Sequence, residues 1–584
     1  MKKLLLTLLC FALLLSACGP AIVPSGTDAS TETGTAAVTG PGETTEALPP
    51  ETIEPLPPET TEALPPETTE ALPTEPPVQF EGSATAGGIR VYTDPSAYRP
   101  YTAPEAIYTR LRDGALPELI PSADYGTIYP YEAARLMESG GIGYTWETGG
   151  IYGFMDETGR ILTDGIYTNI STRSYYDEAT GTDVTLPCWI GRVIDNVRLV
   201  SFPEPDDDYT YLDGDYLYYV IAQDGSFVLP GPFQSVRGLK DRLACDTGSE
   251  IVIFDLKGNR LLSIDGESEY GTLYLWSIEF REGLYRVSYY DTTDDWREKY
   301  FFLNEQGEPV LGPYENACAF SEGLACVSED GQNYGYIDRT GAWVIGPFDG
   351  GRPMSFENGI AIQQDGEQNI LVDKDGKVLA SVSEEGWFSR APCGFEFYSH
   401  AYETSRHIFF DKSGQLLLET WEDVSSLDET TFWNYSQRKL FRLSGEELAT
   451  DRAYSMQLIS AVVNGEAVSC YLGQDFDRST NVLFSQDLQT LRQIEYNYKA
   501  DEYYYFYNTY YSAADEITGE VWHFLWDGET RTAATESGKI AVLPSWAKYL
   551  TPRGGLFYTV TDDACCYLNA DGETVFRYPL NAED

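Results

Sequence analysis

The sequence predicts an all-β protein. Tandem short antiparallel hairpins form one or more propeller-like rings, preceded by a disordered, proline-rich stalk. Three observations carry this expectation. First, the chain repeats itself: Gly312-Pro313-Tyr314 recurs as Gly346-Pro347-Phe348, and the run Phe320 to Ala325 recurs as Phe356 to Ala361. Second, an Asp/Asn-x-x-Gly turn recurs along the chain. With its weaker relatives it spans Gly159 to Gly572 in steps averaging about 41 residues. Third, each turn lies between short apolar runs of strand length, such as Tyr334 to Ile337 and Ala342 to Ile345. Three to four short strands in about 40 residues is the span of a propeller blade. One such unit cannot bury both faces of its sheet, so neighbours must stack. Two smaller rings, or an open β-solenoid, stay open as alternatives at this point.

The segments follow in chain order. Residues 1–18 read as a targeting segment. Lys2 and Lys3 precede the apolar run Leu4 to Leu15, which is too short to span a membrane. Leu15-Ser16-Ala17-Cys18 resembles the bacterial lipobox. That resemblance implies lipidation at Cys18, hence a bacterial membrane anchor with the protein facing outward.

Residues 19–82 read as an acidic linker rich in Pro, Thr and Glu. Four eight-residue units run in tandem from Glu43 to Thr74, three of them ending in paired prolines. Pro blocks helix and ladder hydrogen bonding, so the linker is expected to be disordered and semi-extended. At ~3.1 Å per residue, four units reach on the order of 100 Å.

Residues 83–135 read as a lead-in with one short helix. Thr102 would cap it, Pro104 and Glu105 fall in its first turn, and Gly114 would end it.

Residues 136–420 carry the clearest repeats. Their turns are Asp156 to Gly159, Asp255 to Gly258, Asn304 to Gly307, Asp338 to Gly341, Asp373 to Gly376 and Asp411 to Gly414. The acid or amide can hydrogen-bond the turn it opens, and Gly supplies the positive φ that closes it. Residues 421–584 read as degenerate copies, in the same ring or a second one. Asn569 to Gly572 keeps the full turn there. Gly225, Gly445 and Gly528 lack the opening residue, and a further degenerate copy falls near Leu488.

The pattern aromatic-Gly-Tyr-Ile-Asp-x-x-Gly, followed by Val-Ile-x-Pro-Phe and Phe-x-x-Gly-Leu-Ala, resembles the WG-repeat proteins of bacterial surfaces. The resemblance is strongest over 300–380, and this chain places Tyr152-Gly153 and Tyr334-Gly335 where that family has Trp-Gly. It implies a repeat fold and a lipoprotein context, not an activity.

Composition narrows function by exclusion. The net charge is −53, of which −43 falls after residue 89. A surface that negative disfavours nucleic acid as a partner. Eight cysteines lie beyond the lipobox, with no C-x-x-C spacing. Most read as small core hydrophobes, and their disulfide pairing stays open. The three histidines, His400, His407 and His523, have no metal-pair spacing. No Ser elbow, phosphate loop or dinucleotide fingerprint occurs, so no catalytic residue, metal ligand or cofactor is assigned. Acid clusters such as Asp206 to Asp208 and Asp562-Asp563 lack a calcium-loop pattern.

Aromatic residues make up 14% of the chain, densest at Tyr503 to Tyr507, Tyr510 and Tyr511. They would line a half-buried strand or offer a stacking platform. The expected function is that of a lipid-anchored, non-catalytic surface protein binding a protein or cell-wall glycan. The alternative is a carbohydrate hydrolase on a propeller scaffold. Because turn geometry accounts for the most regular residues, function is expected where the copies differ.

Overall fold

The computed structural model describes residues 83–86, 89–92 and most of 123–579. Breaks fall at 136–149, 178–181, 204–207, 292–296, 476–479, 496–508, 527–529 and a few shorter positions. Only the backbone is described at 83–92 and 194–214. Cys18, the linker, the predicted helix at 102–114, Tyr503 to Tyr507, Asp206, Asp207, Asp562 and Asp563 lie outside the described residues.

Blade 2 shows the plan. Strands Ser235–Leu239, Arg242–Asp246, Glu250–Asp255 and Arg260–Asp265 form an antiparallel meander in chain order. Apolar residues on both faces, Leu243, Ala244, Val252 and Ile253 among them, are buried. A sheet buried on both faces needs a neighbour on each side. Among the described residues, ten sheets of three to six strands meet that need as the blades of a β-propeller arrangement. They span 169–222, 235–265, 267–314, 316–349, 360–382, 387–420, 424–449, 455–495, 510–544 and 551–579 (blades 1 to 10). A two-stranded hairpin, Tyr129–Arg135 with Gly150–Met155, stands between blade 10 and blade 1.

An apolar cluster fills each gap between consecutive sheets. The last one joins Tyr131 and Met155 of the hairpin to Tyr567 and Tyr578 of blade 10, so the sequence of sheets returns to its start. This closure selects a ring over an open solenoid. Nor does a seam open near residue 420: Phe409 and Val424 share one cluster across it. The array also begins earlier than expected, at Tyr129, inside the segment read as a lead-in. Strand Ile89–Tyr92 of that segment pairs in parallel with the last strand, Thr574–Pro579.

Closure is polar as well as apolar. Tyr558 Oη donates to buried Glu132 at 2.9 Å, and Tyr578 Oη donates to the Gly159 carbonyl at 2.8 Å. Beside this seam Arg553 forms an ion pair with Glu516 of blade 9 and donates at 2.8 Å to Tyr567 Oη, which in turn donates to the Pro130 carbonyl of the hairpin. Burial works to lower the pKa of Arg553, but Glu516, Tyr567 and Tyr558 outweigh it and hold the guanidinium charged.

In the four-stranded blades that carry them, such as blades 2, 4 and 6, the Asp-x-x-Gly turns join the third and fourth strands. Asp338 Oδ1 accepts the Thr340 N–H at 2.8 Å, the Thr340 hydroxyl at 2.6 Å and the Ala342 N–H at 3.1 Å. The Thr340 hydroxyl and N–H hold the Asp338 carboxyl below its usual range. Gly341 then sits at φ +83°. Asp156, Asp255, Asn304, Asp373 and Asp411 make the same two-residue and four-residue bonds. Gly159, Gly258, Gly307, Gly376 and Gly414 all take positive φ.

A degenerate copy does fall at Leu488, which itself adopts φ +60° and donates to the Ser485 carbonyl in the glycine's place. In blade 9 Gly538 donates to the Thr535 carbonyl in a turn of the same kind, while Gly528 lies outside the described residues. The glycine of the aromatic-Gly pair has another cause. A Cβ on Gly335 would lie 2.5 Å from the Ile345 carbonyl, and one on Gly153 2.7 Å from the Thr163 carbonyl. The return strand passes too close for any side chain.

All eight described cysteines are buried and outside disulfides. Cys393 and Cys470 are typical, at 1% and 0% exposure, so they serve as small core residues.

Candidate functional site: a basin lined by successive repeats

In each four-stranded blade the first strand is one edge of the sheet. A cavity of about 500 Å³ gathers residues from five consecutive stretches of the array. Its wall runs from Arg173–Tyr176, at the start of a separate hairpin inserted within blade 1, through Val236–Lys240 and Glu279–Glu282 to Phe320–Glu322 and Phe356–Asn358.

The repeated Phe-x-x-Gly corner therefore finishes at the basin. Phe280, Phe320 and Phe356 are buried, anchoring each corner in the core. Glu282, Glu322 and Asn358 follow two residues later, each in the left-handed region at φ +50° to +54°. Successive corners are linked. Both Glu282 carboxylate oxygens accept the Gly323 N–H at 3.1 Å. Glu322 does the same for Gly359, at 3.0 and 3.2 Å. These carboxylates are committed to holding the wall. The position after the anchor is what varies: Lys240, Arg281, Ser321 and Glu357, all lining the basin.

The charge balance here departs from that of the chain. Acids outnumber Lys and Arg by 92 to 39 overall. Four cations line the basin, Arg173, Arg237, Lys240 and Arg281, against the carboxylates of Glu279, Glu282, Glu322 and Glu357. Each of those carboxylates has a cation that does not line the cavity. Arg286 holds Glu279 at 2.8 Å, and Arg339 holds Glu282 at 3.0 Å. Lys374 lies 3.8 Å from Glu322, and Arg390 holds Glu357 at 2.8 Å. Asp241, beside Lys240, is bound by Arg242 at 2.9 Å. Along the lining itself, cations and carboxylates thus balance, four against four.

Arg173 donates to the Val236 carbonyl at 3.0 Å and the Ser171 hydroxyl at 3.0 Å, and Arg237 donates to the Trp276 carbonyl. Burial lowers the pKa of both arginines. They are partly dehydrated cations, for which an incoming anion would replace lost water.

The innermost strand of blade 3 is broken. Between Gly271–Leu273 and Glu279–Arg281 it makes a 3-10 turn, Leu275–Ser277. Leu275 and Ser277 are buried, which turns Trp276 outward at 61% exposure. Its ring stacks on Tyr274, with centroids 4.4 Å apart at 12°, and meets Tyr290 edge-on at 6.2 Å. This aromatic surface was not singled out from the sequence. The only trace was Tyr274-Leu275-Trp276 between two strands. The run that was singled out is packed where it is described: Tyr511 stacks on Phe524 at 4.7 Å, and Tyr510 shares a hydrogen bond with His523 at 2.9 Å.

Ser328 to Gly331 forms an ordinary turn, with Asp330 accepting the Gln332 and Asn333 N–H groups. Among the described residues no group of three or more His, Cys, Asp or Glu is placed to hold a metal ion.

No family model and no curated protein matches the chain. Among solved structures, the chain is similar to BamB from Moraxella catarrhalis at 11% identity, over 58% of this chain and 94% of that one, with a TM-score of 0.23. It is similar to AztD from Citrobacter koseri at 12%, over 59% and 91%, with a TM-score of 0.26. Kluyveromyces lactis Hsv2p aligns at 9%, over 56% and 99%, also at 0.26. These alignments carry no role across to this chain.

Proposed function

We propose that this chain is a lipid-anchored bacterial surface protein, a divergent WG-repeat lipoprotein whose propeller binds a protein or cell-wall glycan in this basin without catalysis. Cys18 would carry the lipid, and the acidic linker would hold the propeller away from the membrane. One observation carries the binding assignment: the corner positions that differ between copies, Lys240, Arg281, Ser321 and Glu357, converge on one cavity. The lining glutamates favour binding over hydrolysis. Glu282 and Glu322 are tied to backbone N–H groups and to cations, an arrangement that locks a wall rather than shuttling protons.

The test uses the Cys18→Ala protein, which leaves the basin as the route to the envelope, in co-sedimentation with purified bacterial envelopes. Adding Lys240→Glu and Arg281→Glu should abolish co-sedimentation. Adding Lys412→Glu and Lys539→Glu, which make the same charge change at surface pairs with Glu429 and Glu520, should leave it intact. Equal loss with both pairs, or with neither, rejects the basin as the binding site.

A further inference from the structure

Among the described residues five tryptophans are exposed, and four of them share one kind of place. Trp276, Trp387, Trp421 and Trp546 lie at or shortly before the first strand of a blade. In blades 2 and 3 the first strand ends at a corner that lines the basin, at Lys240 and Glu282. In blade 6 the equivalent strand, Trp387–Ala391, begins at Trp387. The indoles therefore stand at the far end of these strands from the basin. The chain itself shows what such an aromatic holds. The Arg406 guanidinium lies 5.5 Å from the centre of the Trp421 ring and pairs with Glu419 at 2.7 Å and with Glu384. At the entry to blade 8, Arg438 lies 5.8 Å from the centre of the exposed Tyr454 ring and 3.6 Å from Asp475. In each case an arginine sits between an aromatic face and a carboxylate.

Trp387 repeats these surroundings without a described arginine over its ring. The ring is 56% exposed and is backed by Tyr398, with centroids 5.0 Å apart. Glu385 is exposed two residues before it, and Glu422 and Asp423 are exposed at the entry to blade 7. Among the described residues Glu385 and Asp423 have no basic partner, and Glu422 accepts from the neutral amides of Gln437 and Asn434. Burial raises the pKa of Tyr435, and the charges of Asp423 and Glu396 push it further, so carboxylates of both blades act on that ring. We propose that the entry face of blades 6 and 7 binds a soluble, arginine-rich polypeptide segment, a guanidinium on Trp387 and further basic side chains against Glu385, Glu422 and Asp423. The carboxylates attract any cation. The indole selects arginine, whose planar, weakly hydrated guanidinium stacks on a ring better than an ammonium does. This site is separate from the basin: a propeller seated on the envelope by its basin turns this face to the medium.

The experiment is calorimetric titration of the Cys18→Ala protein with octa-arginine and octa-lysine, which carry equal charge. Octa-arginine should bind about threefold more tightly, the worth of an exposed cation–π contact. Trp387→Leu, which keeps apolar bulk, should remove that advantage and leave octa-lysine unchanged. Trp387→Phe, which keeps an aromatic face, should retain most of it. Glu385→Gln, Glu422→Gln and Asp423→Asn together should weaken both peptides roughly tenfold, the sum of three exposed ion pairs. A control triple, Glu269→Gln, Glu305→Gln and Glu536→Gln, removes the same charge from exposed positions on blades 3 and 9 and should change little. Four results overturn the proposal: no binding of octa-arginine, equal binding of the two peptides, equal loss with the two triples, or a Trp387→Leu protein that binds octa-arginine as before or loses both peptides alike.

Discussion

Replacing Arg553 by Met should open the ring at its closing seam. The guanidinium is 8% exposed, pairs with Glu516, donates to Tyr567 at 2.8 Å and lies 4.4 Å from the centre of the Tyr558 ring. Methionine keeps apolar bulk and removes every polar contact. Breaking a buried pair by deleting one partner costs about 3–5 kcal/mol, mostly because the other charge is left uncompensated. Glu516 retains 23% exposure and can recover some hydration, so the lower end applies, about 3 kcal/mol. At ~1.4 kcal/mol per factor of ten, local opening should become about a hundredfold more frequent. Hydrogen exchange read by mass spectrometry reports this segment by segment. Protection should fall by that factor in strands Tyr129–Arg135 and Ala564–Leu568, which meet at the seam. Strand Gln368–Asp373, in blade 5, should be unaffected. Unchanged protection at the seam, or a uniform loss around the ring, would refute the reasoning.

Other expectations follow from single contacts. Gly359 takes φ +79° with nothing within 4 Å of an added Cβ, so Gly359→Asn should be tolerated far better than Gly359→Ala. Gly335 has no positive φ but faces the Ile345 carbonyl, so Gly335→Ala should cost about 1–3 kcal/mol and Gly335→Asn more. Urea midpoints for the four variants check both statements. The eight described cysteines should not react with a thiol reagent at pH 8 until denaturant is added. Burial pushes the Cys188 and Cys470 thiols up to about 12, against ~8.5 unfolded. Their contribution to stability is therefore intact below pH ~8.5 and is lost as pH rises towards about 12. Cys18→Ala should abolish incorporation of a palmitate analogue, and equal labelling of both proteins would remove the anchor from the account.

The turns were legible in sequence because their cause is local. Asp338 and Gly341 meet within one hairpin, and a side-chain acceptor plus a positive φ leaves a signature four residues long. The copy near Leu488 was legible only from its place in the repeat, because a leucine at φ +60° has no such signature. Closure was not legible, since it depends on partners such as Glu132 and Tyr558, 426 residues apart. The basin lay between these extremes. Its corners were visible as Phe-x-x-Gly repeats, but only the ring brings Lys240, Arg281, Ser321 and Glu357 to one cavity. Trp276 escaped notice because its exposure comes from a strand break, with no periodic pattern to mark it.

The most direct measurement is co-sedimentation of the Cys18→Ala protein with purified envelopes, with and without Lys240→Glu and Arg281→Glu in the basin lining. Loss of co-sedimentation with the pair in place is the predicted result. Unchanged co-sedimentation would contradict the account.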